Sequence, residues 1–158
     1  MPAPPPPPLP APTLCPLVPA DAPACLALDR AALGGLWSLE QWQRELEEEG
    51  RPGLGLFQGP DLLAMASGWL VVDELHITLV AVAPDQRRRG LGRRVLQELM
   101  GAGRARGATR ATLEVAAGNG PGIALYGGLG FRTAGIRHGY YRNGEDALIQ
   151  WVNLKMGP

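Results

Sequence analysis

The sequence contains little cysteine and histidine and has no long apolar run. Its 158 residues include only 2 cysteines, too few for a disulfide framework, and its 2 histidines, His76 and His138, have no metal-ligand partners at the spacing of a zinc site. The longest apolar stretches, 69–72 and 77–83, fall far short of the ~20 residues that cross a bilayer. The first residues lack the positively charged and apolar segments of a signal peptide. We therefore expect a cytoplasmic protein with no metal and no membrane association.

A net charge is also lacking, but only because two opposite halves cancel. Residues 1–86 carry 3 basic and 11 acidic side chains, whereas residues 87–158 carry 12 basic and 4 acidic ones. A basic half can attract nucleic acid or a phosphorylated cofactor, and the balanced total argues against a protein that coats nucleic acid. We therefore favour a compact anionic ligand and expect no dedicated nucleic-acid site.

Proline and glycine are abundant, but each is concentrated in one segment. Eleven of the 16 prolines lie in residues 1–23, and eleven of the 22 glycines lie in residues 90–130. Five consecutive prolines make residues 1–12 a predicted disordered tail of polyproline II character, with a ligand for a proline-recognising module as the alternative. Residues 13–158 are long enough for a single domain.

The hydrophobic pattern predicts an α+β domain with a mixed sheet. Strands are expected at 14–18, 53–58, 62–72, 74–83, 111–115, 131–137 and 147–155, and helices from Asp21, from Ser38 to Gly50, from Leu91 to Gly107 and over 121–129. The segment 77–83 is apolar on both faces except at Thr78, which predicts a strand in the middle of the sheet.

A glycine loop rich in arginine, R-R-R-G-L-G at 87–92, joins this central strand to a helix start. Free backbone N–H groups and the positive end of the helix dipole converge there, and Gly90 and Gly92 lack the Cβ atoms that would keep a phosphate away. The third glycine of a G-x-G-x-x-G motif is missing because position 95 is valine, and no P-loop G-K-S/T is present. The loop predicts a pyrophosphate site, with a solvated basic turn as the alternative.

This loop and two later motifs together resemble the GNAT family of N-acetyltransferases, whose acyl-CoA loop is Q/R-x-x-G-x-G/A. The later motifs are L-E-V-A-A-G-N at 113–119 and I-A-L-Y-G-G-L-G-F at 123–131. The resemblance covers residues 13–158. It implies a GNAT-like central mixed, mostly antiparallel sheet that is flanked by helices and contains a splayed central strand pair.

The last two motifs, with G-Y-Y at 139–141 and E-D-A at 145–147, resemble more narrowly the bacterial enzymes that acetylate the N-terminal alanine of ribosomal protein S18. The resemblance thus implies direct transfer of acetyl from acetyl-CoA to a protein N-terminal amine. A lysine or small-molecule amine as acceptor is the alternative within the family. A non-catalytic CoA-binding or RNA-contacting module is the alternative of another class. The oligomeric state is left open.

The resemblance also assigns roles to individual residues. It implies that acetyl-CoA is bound through the backbone of the central strand, through the arginine loop and through an asparagine that contacts the pantetheine arm. These residues are Val80, Ala81, Val82, Arg87, Arg88, Arg89, Gly90, Leu91, Gly92, Arg93 and Asn119.

The same resemblance places the general base at Glu114 and the general acid at Tyr126. An α-amine has a pKa of about 7.7–8.0, so a modest fraction is already neutral at pH 7 and a carboxylate need remove the proton only from the rest. A phenol of pKa about 10 stays protonated at neutral pH and can protonate a departing thiolate. Tyr140 and Tyr141 are candidates for lining the entrance of a peptide N-terminus, with packing of the hairpin as the alternative. Without the resemblance, Glu114 would read as an exposed strand residue and Tyr126 as a core tyrosine.

Overall fold

A computed structural model describes residues 2–7 and 10–154 and contains, in this part of the chain, one seven-stranded sheet and four helices. The strands are β1 Thr13–Pro16, β2 Gly53–Gln58, β3 Asp61–Val71, β4 Glu74–Val82, β5 Arg110–Ala116, β6 Arg132–Arg137 and β7 Ala147–Asn153. The helices are α1 Ala22–Leu33, α2 Leu39–Glu47, α3 Leu91–Ala105 and α4 Gly120–Gly128. The predicted order of elements and the α+β class are confirmed. Lys155, predicted to end the last strand, and residues 1, 8 and 9 of the predicted tail lie outside the described residues.

The sheet has the order β1-β2-β3-β4-β5-β7-β6, so β4 is its central strand, as its apolar sequence predicts. Neighbouring strands are antiparallel except for β4 and β5, which are parallel. The ladder between these two has three pairs in the described chain, from Glu74 with Arg110 to His76 with Thr112, and the remainder of each strand diverges. This is the predicted splayed pair, and it opens the sheet at the C-terminal end of β4.

A bulge in β4 changes which side chains face each layer. Ser67 pairs with Leu79 and the next residue of β3 pairs with Ile77, which leaves Thr78 as the extra residue. The Thr78 hydroxyl donates to the Ser67 carbonyl at 3.0 Å. Before the bulge Ile77 faces α3, whereas after it Val80 does. The bulge lies just beyond the last pair of the β4–β5 ladder, so it sets which side chains of β4 face each layer where the two strands diverge.

The two faces of the sheet carry separate apolar cores. One core lies between the sheet and α3 and includes Val95, Leu96 and Leu99, which are fully buried. The other is built from α1, α2, β3 and β4 around the buried Trp42. The Asp29 carboxylate, also buried, accepts the Trp42 indole N–H at 3.0 Å and two backbone N–H groups of the segment between α1 and α2. This network fixes the C-terminal end of α1, which borders the cavity described below.

Most element boundaries differ from those predicted by one to three residues, and two of the differences have a clear local cause. Val72, expected within a strand, lies in the turn between β3 and β4 with φ 58° and is 95% exposed, because the chain must reverse there in a short connection. Helix α4 begins at Gly120 rather than at Pro121, because the Asn119 side chain caps it by accepting the Gly122 N–H at 3.0 Å.

The end of the proline-rich segment contacts the domain. The Pro10 carbonyl accepts a hydrogen bond from the Gln58 amide at 2.7 Å, and the carbonyl of the buried Pro12 accepts one from Arg94 at 3.1 Å. The division at residue 12 between tail and domain stays a prediction.

No helix in the described part of the chain is long and apolar enough to span a membrane. The same residues contain no cluster of three or more His, Cys, Asp or Glu side chains that could hold a metal ion. Both Cys15 and Cys25 are free thiols.

Candidate active site

A cavity of about 620 Å³ lies at the C-terminal end of β4, where it is bounded by the end of α1, the start of α3 and α4. All the predicted cofactor residues except Arg89 line it: Val80, Ala81, Val82, Arg87, Arg88, Gly90, Leu91, Gly92, Arg93 and Asn119. The Arg89 guanidinium instead donates to the Gln86 side chain. One end of the cavity is therefore cationic, and the wall along β4 is formed by the backbone and apolar side chains of that strand.

The loop before α3 owes its shape to two left-handed residues. Gly90, the N-cap of α3, has φ 75°, which glycine adopts without cost. Arg88 has φ 66°, and for a residue with a Cβ atom this conformation costs about 1 kcal/mol or more. This backbone carries the arginine side chains along the cavity wall beside the first N–H groups of α3, an arrangement that suits an anion.

Glycine also permits close packing on the other sides of the cavity. A Cβ atom on Gly92 would lie 3.2 Å from Val82 Cγ2 and 3.7 Å from Leu125 Cδ2, so α3 could not approach β4 as closely with a larger residue. A Cβ atom on Gly122 would lie 2.6 Å from Asn119 Nδ2, so a larger residue there would displace the capping side chain from its present position. These two glycines fix the width of the cavity and the position of Asn119 on its wall.

Tyr126 lies on α4 and is the one candidate catalytic residue that lines the cavity. Its ring packs edge to face on Phe131 with 5.9 Å between the ring centroids. Burial raises the pKa of the Tyr126 phenol above its usual 10, and the neighbouring Tyr141 adds to this effect. The hydroxyl therefore stays protonated at neutral pH and can serve as a proton donor.

Glu114 lies outside the cavity wall, on the face of β5 opposite the buried Leu113 and Val115, as the alternation of the strand predicts. Its side chain is 21% exposed. Oε2 accepts the Tyr140 hydroxyl at 2.9 Å, and Oε1 lies 3.6 Å from Arg137 Nε. The carboxylate is thus held on both oxygens by residues that follow or end β6.

The two neighbouring tyrosines have different surroundings. Tyr140 is 50% exposed, and its pKa is raised chiefly because its hydroxyl donates to the Glu114 carboxylate. Tyr141 is less exposed, and its pKa is raised first by burial and then by the charge of Glu114. Tyr141 is also the second cause, after burial, of the raised pKa of Tyr126.

The connection from β6 to β7 is fixed by Asp146. Its carboxylate accepts the Gly139 N–H at 2.9 Å and lies 3.3 Å from His138 Nδ1. The hydrogen bond from Gly139 lowers the pKa of the Asp146 carboxyl. The backbone carbonyl of Asp146 accepts the Ala117 N–H at 2.9 Å. The tyrosine pair is thereby tied to the segment between β5 and α4.

Sequence patterns did not identify several residues of this region. Ala32 and Leu33 line the cavity although they come from α1, far from the glycine loop in the sequence. Leu125 of α4 also lines it. Arg137 lies on the same face of the sheet as Glu114, and its strand is joined to β5 through β7. These residues approach one another only through the folded sheet, which explains why no local pattern reveals them.

The splayed central pair, the cationic loop before α3 and the cavity between them are the features of an acetyltransferase. The model of the acetyltransferase (GNAT) family matches residues 23–131, and the chain belongs to this family.

Within the family, the chain is similar to enzymes with named acceptors. It is 35% identical over 147 residues to the [ribosomal protein bS18]-alanine N-acetyltransferase of Escherichia coli K12, covering 91% of this chain and 99% of that protein. The crystal structure of the Escherichia coli ribosomal-protein-S18-alanine N-acetyltransferase has a TM-score of 0.85 over 93% of this chain and 96% of that one, at 35% identity. The N-alpha-acetyltransferase RimI of Mycobacterium tuberculosis is 34% identical over 142 residues, covering 85% of this chain and 88% of that protein.

A more distant structure is similar in fold alone. It is yncA from Salmonella typhimurium with its cofactor acetyl-CoA, which has a TM-score of 0.79 at 21% identity over 93% of this chain and 96% of that one. The predicted family and the predicted fold are both confirmed by these comparisons, and proteins of this fold bind acetyl-CoA.

Proposed function

We propose that this protein is an N-α-acetyltransferase that transfers acetyl from acetyl-CoA to a protein N-terminal amine, with the N-terminal alanine of ribosomal protein S18 as its acceptor. The observation that carries the proposal is the similarity to the Escherichia coli enzyme over 91% of the chain and 99% of that enzyme. An acceptor on the ribosome would place the activity in the cytoplasm.

The cavity suits acetyl-CoA in size and in the distribution of charge. Its volume of about 620 Å³ lies within the range of pockets that bind small molecules and cofactors. Arg87, Arg88 and Arg93 line the loop end, where they would neutralise a pyrophosphate with the help of the free N–H groups of α3. Arg89, which points to Gln86, would support the loop rather than the phosphate.

The remaining wall suits the uncharged part of the ligand. Val80, Ala81 and Val82 lie beyond the last pair of the β4–β5 ladder, so their backbone groups on that side are available to the pantetheine amides. Asn119 would contact the same arm through its amide nitrogen, because its oxygen is used in the α4 cap. The N–H of Val82 is our candidate donor to the thioester carbonyl oxygen.

When bound, acetyl-CoA supplies an acetyl thioester, so one C–S bond breaks and one amide C–N bond forms at the acceptor. Glu114 would accept the proton that the α-amine loses, through an intervening water. Tyr126 would donate its proton to the sulfur of the departing thiolate. An ordinary phenol is about 1.5 pKa units weaker as an acid than a thiol, roughly 2 kcal/mol, and burial of Tyr126 increases this difference. Position beside the sulfur must therefore offset the cost.

The acceptor is tested with a panel of amines and acetyl-CoA. We expect the purified protein to acetylate a peptide with a free N-terminal alanine, detected by mass spectrometry on the α-amine. Matched comparisons are the same peptide with a blocked N-terminus and an internal lysine, free amino acids, and polyamines. Transfer to the blocked peptide or to polyamines, without transfer to the free terminus, would contradict the proposed acceptor and leave an acetyltransferase of other specificity.

A further inference from the structure

Both oxygens of the Glu114 carboxylate are engaged by residues at the end of β6 and in the connection that follows it. The Tyr140 hydroxyl donates to Oε2 at 2.9 Å, and Arg137 Nε lies 3.6 Å from Oε1. The Arg137 guanidinium carbon also lies 5.9 Å from the centre of the Tyr140 ring, so the two residues contact each other as well as the carboxylate. A glutamate on a strand face would otherwise sample several rotamers, and two partners select one of them.

The position of Tyr140 is fixed by backbone contacts on its own loop. Gly139 has φ 61°, a conformation that favours glycine, and its N–H donates to the Asp146 carboxylate at 2.9 Å. The ring of Tyr140 packs edge to face against Tyr141 at 5.1 Å between centroids. The tyrosine hydroxyl therefore reaches Glu114 from a defined support.

We propose that Tyr140, assisted by Arg137, is a positioning residue that holds Glu114 in the rotamer needed to accept a proton, which leaves Tyr141 as the candidate from the sequence for lining the acceptor path. The inference rests on the proposed function, since it assigns Glu114 the role of base. It divides between two residues the entrance role that the sequence suggests for both.

The different contacts of the two tyrosines support this division. The Tyr140 hydroxyl is already committed to the carboxylate, whereas its ring is half exposed. Tyr141 is less exposed, and its described ring contact is with Tyr140 rather than with the Glu114 carboxylate. Tyr140 would therefore act on the acceptor amine through Glu114.

The test is a matched pair of substitutions, Tyr140→Phe and Tyr141→Phe, each of which removes one hydroxyl and keeps the ring. We expect Tyr140→Phe to lower kcat about tenfold with little change in KM for the peptide, because the base is misplaced while the binding surface remains. We expect Tyr141→Phe to act mainly on the peptide KM. A rise in peptide KM with unchanged kcat for Tyr140→Phe would overturn the inference.

A double substitution tests whether Tyr140 acts through the base. If it does, Tyr140→Phe has no further effect on kcat once Glu114→Gln has removed the carboxylate. Independent, additive losses in the Glu114→Gln background would contradict a positioning role. Thermal unfolding of each variant identifies any loss of fold. If Tyr140→Phe does not fold, Tyr140→Trp serves as the second variant, because it retains a ring and a hydrogen-bond donor. A kcat near that of the wild type would support positioning of Glu114 by a donor at this place, and a raised peptide KM would oppose it.

Arg137 has a smaller expected effect and an internal control. Arg137→Gln should lower kcat about threefold, because the guanidinium is half exposed and the ion pair is long. Arg132→Gln, an exposed arginine on the same strand, should leave kcat unchanged. Equal effects of both would indicate a general charge effect and contradict the role of Arg137.

These outcomes separate failure of the inference from failure of the function. If the wild-type protein acetylates the alanine peptide and Glu114→Gln abolishes this, while Tyr140→Phe is fully active, then the inference is wrong and the function stands. If the wild-type protein does not acetylate the peptide, the proposed function itself is wrong.

Discussion

The proposed cofactor cavity and the proposed acceptor side are built in different ways. Apart from the arginines at its loop end, the cavity is formed largely by strand backbone and by glycines in close contact, such as Gly92 against Val82. The acceptor side is formed by long polar side chains, Glu114, Arg137 and Tyr140, that meet on the surface of the sheet. Both regions lie beside the same splayed pair of strands.

This difference indicates which part of the site tolerates change. A wall of backbone and glycine accepts few substitutions, and under the proposed function it would bind the part of the ligand that every reaction of this kind shares. A cluster of half-exposed side chains can be exchanged with little cost to the fold. We therefore expect changes in the cavity to alter ligand binding, and changes on the acceptor side to alter turnover and choice of acceptor.

The largest effect is expected from Glu114→Gln. The amide keeps the size of the side chain but cannot accept the proton, so kcat should fall about 100-fold or more while acetyl-CoA binding is retained. Steady-state kinetics with the alanine peptide and calorimetry with acetyl-CoA measure the two quantities. A loss of acetyl-CoA affinity would break the distinction between the two regions, and unchanged kcat would remove Glu114 from the mechanism.

Tyr126→Phe should have the next largest effect, because Tyr126 lines the cavity but acts in turnover. We expect kcat to fall about tenfold to 100-fold, since the departing thiolate must then be protonated by solvent. The packing against Phe131 is retained by the phenylalanine ring, so the melting temperature should change little. Turnover at the wild-type rate would show that another group provides the proton.

Gly92→Ala tests the close packing of the cavity, with Gly101→Ala on the same helix as its control. The new methyl group would lie 3.2 Å from Val82 Cγ2 and narrow the cavity, whereas nothing lies within 4 Å of the corresponding position at Gly101. We expect the Kd for acetyl-CoA to rise about threefold to tenfold in Gly92→Ala, a cost of about 1 kcal/mol.

The control has its own expected result. Gly101→Ala should leave Kd unchanged and stabilise the helix by up to about 1 kcal/mol, which chemical denaturation measures. An equal rise in Kd for both variants would indicate an effect of helix α3 as a whole rather than of the contact with β4.

The smallest effect concerns the packing of α1 behind the cavity. Burial raises the pKa of the Cys25 thiol to about 12, with Asp21 and Asp29 adding to the shift, so almost no thiolate is present at pH 8. Cys15 is partly exposed. A thiol reagent should therefore label Cys15 and leave Cys25 unmodified in the native protein, as peptide mapping would show. Rapid labelling of both would mean that this wall of the cavity opens readily.

Local sequence signals predicted several elements of the fold well. The run of apolar residues predicted β4 as the central strand, and the helix predicted from Ser38 is present as α2, with two capping hydrogen bonds between Ser38 and Gln41. The glycine loop lies at the start of α3 as its position in the sequence indicates. Each of these features depends on residues close together in the chain, for which patterns are informative.

The acceptor region depends on contacts between distant elements, and the sequence predicted less of it. Arg137 at the end of β6 reaches Glu114 on β5 across β7, the strand between them. The spacing of residues along the chain does not reveal this strand order. The bulge at Thr78 depends on how β3 and β4 pair. The separate surroundings of Tyr140 and Tyr141 follow from the fold of one connection. Charge and residue type identified candidates here, but only the fold assigns their partners.

Calorimetric titration of acetyl-CoA into the wild-type protein tests most directly the claim that this cavity is a cofactor site. We expect one site per chain, with an affinity for acetyl-CoA that decreases as the salt concentration rises. We also expect lower affinity in Arg88→Gln and in Arg93→Gln, because these arginines face the proposed pyrophosphate. The absence of binding, or binding that is insensitive to both substitutions, would contradict the claim.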